Sequence, residues 1–118
     1  MIQLPRMRRG TKPYLEAVKH TRALVHERTA YFAKAYGITY AKISIRKQKT
    51  RWGSCSRAGN LSFNYRLGFL PAHLADYIIV HELCHIVEHN HSIRFWALVA
   101  QAFPNPKVFR KELMTYRF

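Results

Sequence analysis

The chain has 118 residues, 48% of them hydrophobic, which is enough for one domain with an apolar core and too few for two. Twenty lysines and arginines face six acidic residues, a formal net charge of +14 that favours anionic partners such as nucleic acid, acidic peptides or a membrane surface without choosing a fold. No apolar run approaches the roughly 18 residues of a membrane span, and the basic start MIQLPRMRRG has no apolar stretch behind it, so a cytoplasmic protein with no membrane partner is expected.

Residues 1–12 are basic and hold Pro5 and Gly10, and are expected to form a loose arm ahead of a single domain over 13–118. From Pro13 to Tyr36, Leu15, Val18, Val25, Phe32 and Tyr36 recur at helical spacing, and Gly37 supplies the stop. The period then changes to two. Ala41, Ile43 and Ile45 alternate with Lys42 and Ser44, and Leu61, Phe63 and Tyr65 alternate with Ser62 and Asn64. With Thr50–Arg57 between them and a turn at Gly59-Asn60, this predicts a three-stranded antiparallel meander. Pro71 opens a helix expected to run to about His89. Its middle, from Leu74 to Val80, is apolar on nearly every side, which marks a buried helix. Ser92 is a natural N-cap for a helix over Ile93–Phe103, ended by Pro104, and a last amphipathic helix is expected from Pro106 to Tyr116. The fold class is α+β.

The buried helix carries His81-Glu82-Leu83-Cys84-His85. Histidines four apart stand one turn apart on one face, so both rings can reach one ion. Glu82, next to His81 and about 100° round, can lie beside the metal without binding it and take a proton from a metal-bound water. That is the physical content of the H-E-x-x-H pattern, and it makes Zn2+ the expected cofactor and Glu82 the expected catalytic base. The two thiols, Cys55 and Cys84, are too few for a disulfide scaffold or a four-cysteine metal site, and Cys84 is turned away from the ligand face towards the core.

A catalytic zinc takes a third protein ligand. Glu88, His89, His91 and Glu112 are the candidates. Glu88 lies a further turn along and suits a supporting place beside a histidine ring, His89 points off the face, and Glu112 sits among basic residues where an ordinary salt bridge is expected. His91 follows His85 at the spacing of H-E-x-x-H-x-x-G-x-x-H, with Glu88 in place of the glycine. A continuous helix would carry His91 about 9 Å past His85. The helix must therefore end near His89, with Asn90 the residue suited to the left-handed conformation that closes helices. Arg51-Trp52-Gly53-Ser54 is a candidate substrate-binding strand, because Gly53 inside a strand marks a bulge or a close backbone approach and a free strand edge can take an extended peptide.

The run Arg51-Trp52-Gly53-Ser54-Cys55-Ser56, then Leu61–Tyr65, His81–His85, Asn90-His91-Ser92 and Phe95-Trp96, resembles the YgjP-like family of metallopeptidases, itself similar to SprT-like and other minimal zincin domains. The resemblance implies a minimal zincin-like domain, with a small sheet on an active-site helix. It places His81, His85 and His91 on the metal and Glu82 on the base. The implied activity is hydrolysis of peptide bonds by a zinc-dependent enzyme.

Two other classes stay open on sequence grounds. One is a metal-dependent hydrolase of phosphate compounds such as nucleotides, which the excess of Arg and Lys suits but which lacks a Gly-rich phosphate cradle. The other is a basic nucleic-acid-associated protein with a structural zinc. Polyanion contacts would fall to Arg6, Arg8, Arg9 and Lys12 of the arm and to Lys42, Arg46, Lys47 and Lys49 of the strand region.

Overall fold

A computed structural model describes residues 1–118. Pro13 stands in the first turn of a 25-residue helix, α1 (Lys12–Tyr36), and Gly37 closes it in the left-handed conformation at φ 68°. A Pro at the start costs no hydrogen bond there, and a Gly at the end has no Cβ to resist positive φ.

The three-stranded sheet consists of β2 (Lys42–Arg46), β3 (Gly53–Cys55) and β4 (Asn60–Asn64). Here the antiparallel meander expected from the sequence is corrected. The spatial order is β2-β4-β3, and β2 runs parallel to β4, with Ile43 beside Leu61 and Ile45 beside Phe63. Only β3 is antiparallel to β4, with Gly53 opposite Phe63 and Cys55 opposite Leu61. The chain leaves β2, passes over the place β4 will take, and returns as β3. Two strand spacings are roughly 10 Å, within easy reach of the link from Lys47 to Trp52. Alternation with period two is the same for either strand direction, so it cannot signal this insertion. The turn between β3 and β4 closes with Gly59 N–H donating to Ser56 O at 3.0 Å, and Gly59 sits at φ 84°.

Central placement explains β4. Leu61 and Phe63 are fully buried, and so is Asn64, which alternation alone assigned to the polar face. Its Nδ2 donates to the carbonyls of Gln48 and Arg51, both at 3.0 Å, and its Oδ1 accepts from Arg66 N at 3.0 Å. One buried amide thus holds the β2–β3 link against the 3₁₀ turn Tyr65–Phe69 that follows β4. Buried polar groups are tolerated when satisfied in this way.

The helix α2 (Ala72–Val87) lies at the centre. Leu74, Ile79, Val80, Leu83 and Cys84 are fully buried against α1, the sheet and α3 (Ile93–Ala100). Each such aliphatic side chain contributes roughly 1.5–3 kcal/mol. Arg28 of α1 donates from Nε and Nη2 to the two oxygens of Asp76, at 2.9 and 3.0 Å, and so ties α1 to α2. A last helix, α4 (Pro106–Leu113), leads to β5 (Tyr116–Arg117).

The arm is not loose. Ile2–Gln3 forms a short strand, β1, parallel to β5, with Ile2 beside Tyr116 and Gln3 beside Arg117. Leu4 is 5% exposed within the core, Pro5 O accepts from Arg66 Nε, and Met7 N–H donates to the Tyr65 hydroxyl. A two-residue strand has no periodicity to read, so only its distant partner reveals it. No helix is long and apolar enough to cross a membrane.

Candidate metal centre

Within α2, His81 and His85 project from one face, their ring centroids 4.8 Å apart. The helix stops at Val87, and Glu88 caps it in extended conformation at φ −122°. The expected closure by a left-handed Asn90 is corrected: no residue other than glycine has positive φ. A residue in extended conformation breaks the helical path as well as a left-handed one does, and the chain then turns back into Ser92, whose Oγ caps α3 by accepting from Phe95 N at 3.3 Å.

The turn returns His91 to the histidine face. Its Nε2 lies 3.0 Å from His85 Nε2 and 3.3 Å from His81 Nε2. Ligand atoms of these three residues lie within 4.8 Å of one another, and together they could hold a metal ion. Nitrogens bound tetrahedrally at 2.0–2.1 Å stand about 3.3 Å apart, so the spacing of His91 from its neighbours suits one shared ion. His85 Nδ1 is 3.1 Å from Glu88 O, which accepts its proton and leaves Nε2 with a free lone pair. The support expected from Glu88 thus comes from its backbone carbonyl. His81 Nδ1 stands 3.3 Å from Glu82 Oε2. Burial pushes the pKa of His85 below the usual imidazole range, and burial with the neighbouring His81 does the same to His91. Both rings are therefore neutral at pH 7, the form that ligates metals.

Aromatic residues of α3 hold the rings in place. Phe95, fully buried, stacks on His85 with centroids 4.2 Å apart, and Trp96 stacks on His91 at 5.8 Å. Pattern reading placed Phe95-Trp96 only within a helix, and their role as a wall for the histidines comes from the fold.

Glu82 is 7% exposed and lies over Gly53 of β3. A Cβ on Gly53 would meet Glu82 Cγ at 3.1 Å, Glu82 Oε2 at 3.3 Å and the carbonyl of Ser62 at 3.1 Å. The glycine suits this place because a Cβ there would press on a carboxylate and on a neighbouring strand. Arg51, Trp52 and Gly53 line a cavity of about 500 Å³ with Tyr77, Trp96 and Arg110, open to His81, Glu82 and His91. On the other side, Gly53, Ser54 and Cys55 border a second space of about 420 Å³ that also reaches His81, His85 and His91. Gly53–Cys55 is an edge strand, paired only with β4.

The remaining candidates do not join the histidine cluster. Glu112 meets His73 Nε2 at 2.8 Å on an exposed face. His89 is exposed. Cys84 is buried against Tyr36, and burial pushes its pKa up to about 12. Cys55 is raised to about 11 by burial and by Glu82. Both thiols are therefore protonated at neutral pH. Of the cations assigned to polyanions, Arg6, Arg9, Lys47 and Lys49 gather round one cavity of about 400 Å³ with Arg66, whereas Arg8, Lys12, Lys42 and Arg46 lie outside it. Arg66 was not among the expected set, since a lone arginine after a strand carries no signal of its own.

The fold is similar to that of solved metallopeptidases. The zymogen of Pyrococcus abyssi abylysin superposes with a TM-score of 0.72 at 25% identity, over 77% of this chain and 92% of that one. The zymogen of Methanocaldococcus jannaschii jannalysin gives 0.68 at 22% identity, over 77% and 94%. A Wss1 mutant from Saccharomyces cerevisiae gives 0.59 at 12% identity, over 94% and 91%, a likeness of fold alone. No curated protein matches the sequence. A small sheet packed on the helix that carries His81 and His85 is the minimal zincin-like fold. The YgjP-like, metallopeptidase domain matches residues 11–116, and the chain belongs to that family.

Proposed function

We propose that the chain is a zinc-dependent peptidase in which His81, His85 and His91 hold the ion and Glu82 is the general base. The observation that carries this reading is the convergence of three histidine nitrogens beside one buried carboxylate. Zinc bound there would supply Lewis acidity, lowering the pKa of a water to about 7 and polarising a carbonyl. Glu82 takes the proton of the attacking water and returns it to the leaving amine. Its grouping outside the histidine trio, with Oε2 3.3 Å from His81 Nδ1, supports the role of base over that of ligand. The unpaired edge of Gly53–Cys55 receives the substrate backbone as an added strand, with Arg51 and Trp52 bordering the cavity at one end.

Three histidines without a fourth protein ligand favour a catalytic site over a closed structural one. A phosphate hydrolase would need a phosphate cradle against the histidines. The cation-rich cavity around Arg66 includes none of the three, and the arginines that do line the histidine cavity, Arg51 and Arg110, are not joined there by a Gly-rich phosphate loop. The test is Glu82→Gln. The variant is expected to fold and to retain stoichiometric zinc, while peptide hydrolysis falls by about 10² to 10⁴. Loss of zinc from the variant would instead make Glu82 a ligand. Equal peptidase activity in both proteins would remove the reading.

A further inference from the structure

The cavity at the histidines does not stand alone. It shares Trp52, Arg110 and Leu113 with a second cavity of about 570 Å³, which in turn shares Lys49 and Phe118 with the cavity around Arg66. The three spaces therefore adjoin in a line, from Arg6, Arg9, Lys47 and Arg66 at the far end, past Lys49 and Arg117, to Arg110 and Arg51 at the site. Glu82 is the only acid along it.

No acidic side chain pairs with the cations of this line, although Arg6 Nε donates to the main-chain oxygen of Phe118 at 3.3 Å. The six acids are Glu16, Glu27, Asp76, Glu82, Glu88 and Glu112, and the arginine salt bridge that forms is Arg28–Asp76 on another face. Arg66 is 6% exposed, and its Nε and Nη1 make long contacts of 3.3–3.4 Å to Pro5 O, Gln48 O and Asn64 Oδ1. Its guanidinium also lies over the Tyr65 and Phe118 rings, 4.6 and 5.2 Å from their centroids. Gln48 Oε1, in the same wall, is buried without a partner. A buried polar atom left without a partner calls for an explanation, and a ligand is one. Trp52 and Phe118, edge to face at 4.6 Å, supply an apolar floor between the charged ends.

We propose that this line of cavities is a basic track for the substrate, and that the polypeptide it carries to the histidines has an Asp- or Glu-rich stretch beside the scissile bond. The proposal rests on the peptidase reading. An occupant that reaches the catalytic cavity must present a peptide bond there, so the anions on the track are carboxylates of the same chain. A nucleic acid on the track would present no peptide bond to Glu82 and the histidines.

The experiment uses zinc-loaded protein and two matched pools of quenched peptides, one flanked by a run of glutamates, the other by glutamines. The acidic pool is expected to be cut with a kcat/KM about tenfold higher at roughly 50 mM salt, the preference shrinking towards unity near 500 mM as the charges are screened. Lys47→Glu with Lys49→Glu should abolish the preference. Equal rates for the two pools would overturn the track. A second measurement separates this from the peptidase reading: binding of fluorescein-labelled acidic and neutral peptides, and of a single-stranded oligonucleotide, to the Glu82→Gln protein. Tighter binding of the acidic peptide supports the track even if the wild type cuts nothing, in which case only the peptidase reading fails. Equal binding of both peptides, or binding of the oligonucleotide alone, overturns it.

Discussion

Gly53 and Glu82 meet at a spacing that admits a methyl group only if a neighbour yields by a few tenths of an ångström. One of the three atoms that a Cβ at Gly53 would press on is the Ser62 carbonyl of the neighbouring strand, which cannot yield, so the carboxylate must. Gly53→Ala is therefore expected to keep the fold and zinc content while lowering kcat/KM by about 10-fold to 10²-fold, the scale of a displaced catalytic group. Zinc analysis beside kinetics distinguishes this from general damage. His91 presents the complementary case, since its nitrogen sits 3.0 Å from that of His85 although it is outside the helix. His91→Ala should cut zinc affinity sharply, whereas Glu112→Ala, which touches only His73, should leave it near wild type. The opposite pair of results, read by zinc competition with a chelating dye, would transfer the third ligand to Glu112.

At the scale of elements, Asn64 does what the alternating pattern could not announce. It joins the β2–β3 link, β4 and the 3₁₀ turn through one amide. Asn64→Asp would set a carboxylate against the carbonyls of Gln48 and Arg51 and remove two donors. A loss of about 2–4 kcal/mol is expected, measurable as a shifted urea midpoint with unchanged slope. A shift under about 0.5 kcal/mol, the range of ordinary surface changes, would show that the link is held elsewhere. The helices were legible because each carries local punctuation: Pro13 and Gly37, Pro71, Ser92, Pro106. Their ends were less so. α2 stops at Val87, two residues before the expected His89, and α3 at Ala100. The strand expected over Thr50–Arg57 is only Gly53–Cys55, because the preceding residues form the link that Asn64 grips.

For the whole molecule, zinc is expected to bind the folded chain and not the unfolded one, because the His91 nitrogen reaches the helical pair only after the turn at Glu88. Zinc at a hundred times its Kd then adds about 2.7 kcal/mol, a rise in Tm on the order of 10 °C for a domain of this size. Differential scanning calorimetry of zinc-loaded and chelator-treated protein checks this, with full reversal on adding zinc back. An unchanged Tm would mean that the histidines do not form a folding-linked site.

The sequence by itself determined the helices, the buried setting of α2 and the spacing of His81, Glu82 and His85, because these depend on residues within one or two turns of each other. It also supplied His91, through a spacing that works only if the helix stops in time. Strand order and direction, the pinning of Ile2–Leu4 on Tyr116–Arg117, the burial of Asn64 and the gathering of Arg6, Lys47, Lys49 and Arg66 were decided by the tertiary structure. Each is a pairing between segments far apart in the chain, and period-two alternation or a lone charge is the same whichever partner packing selects.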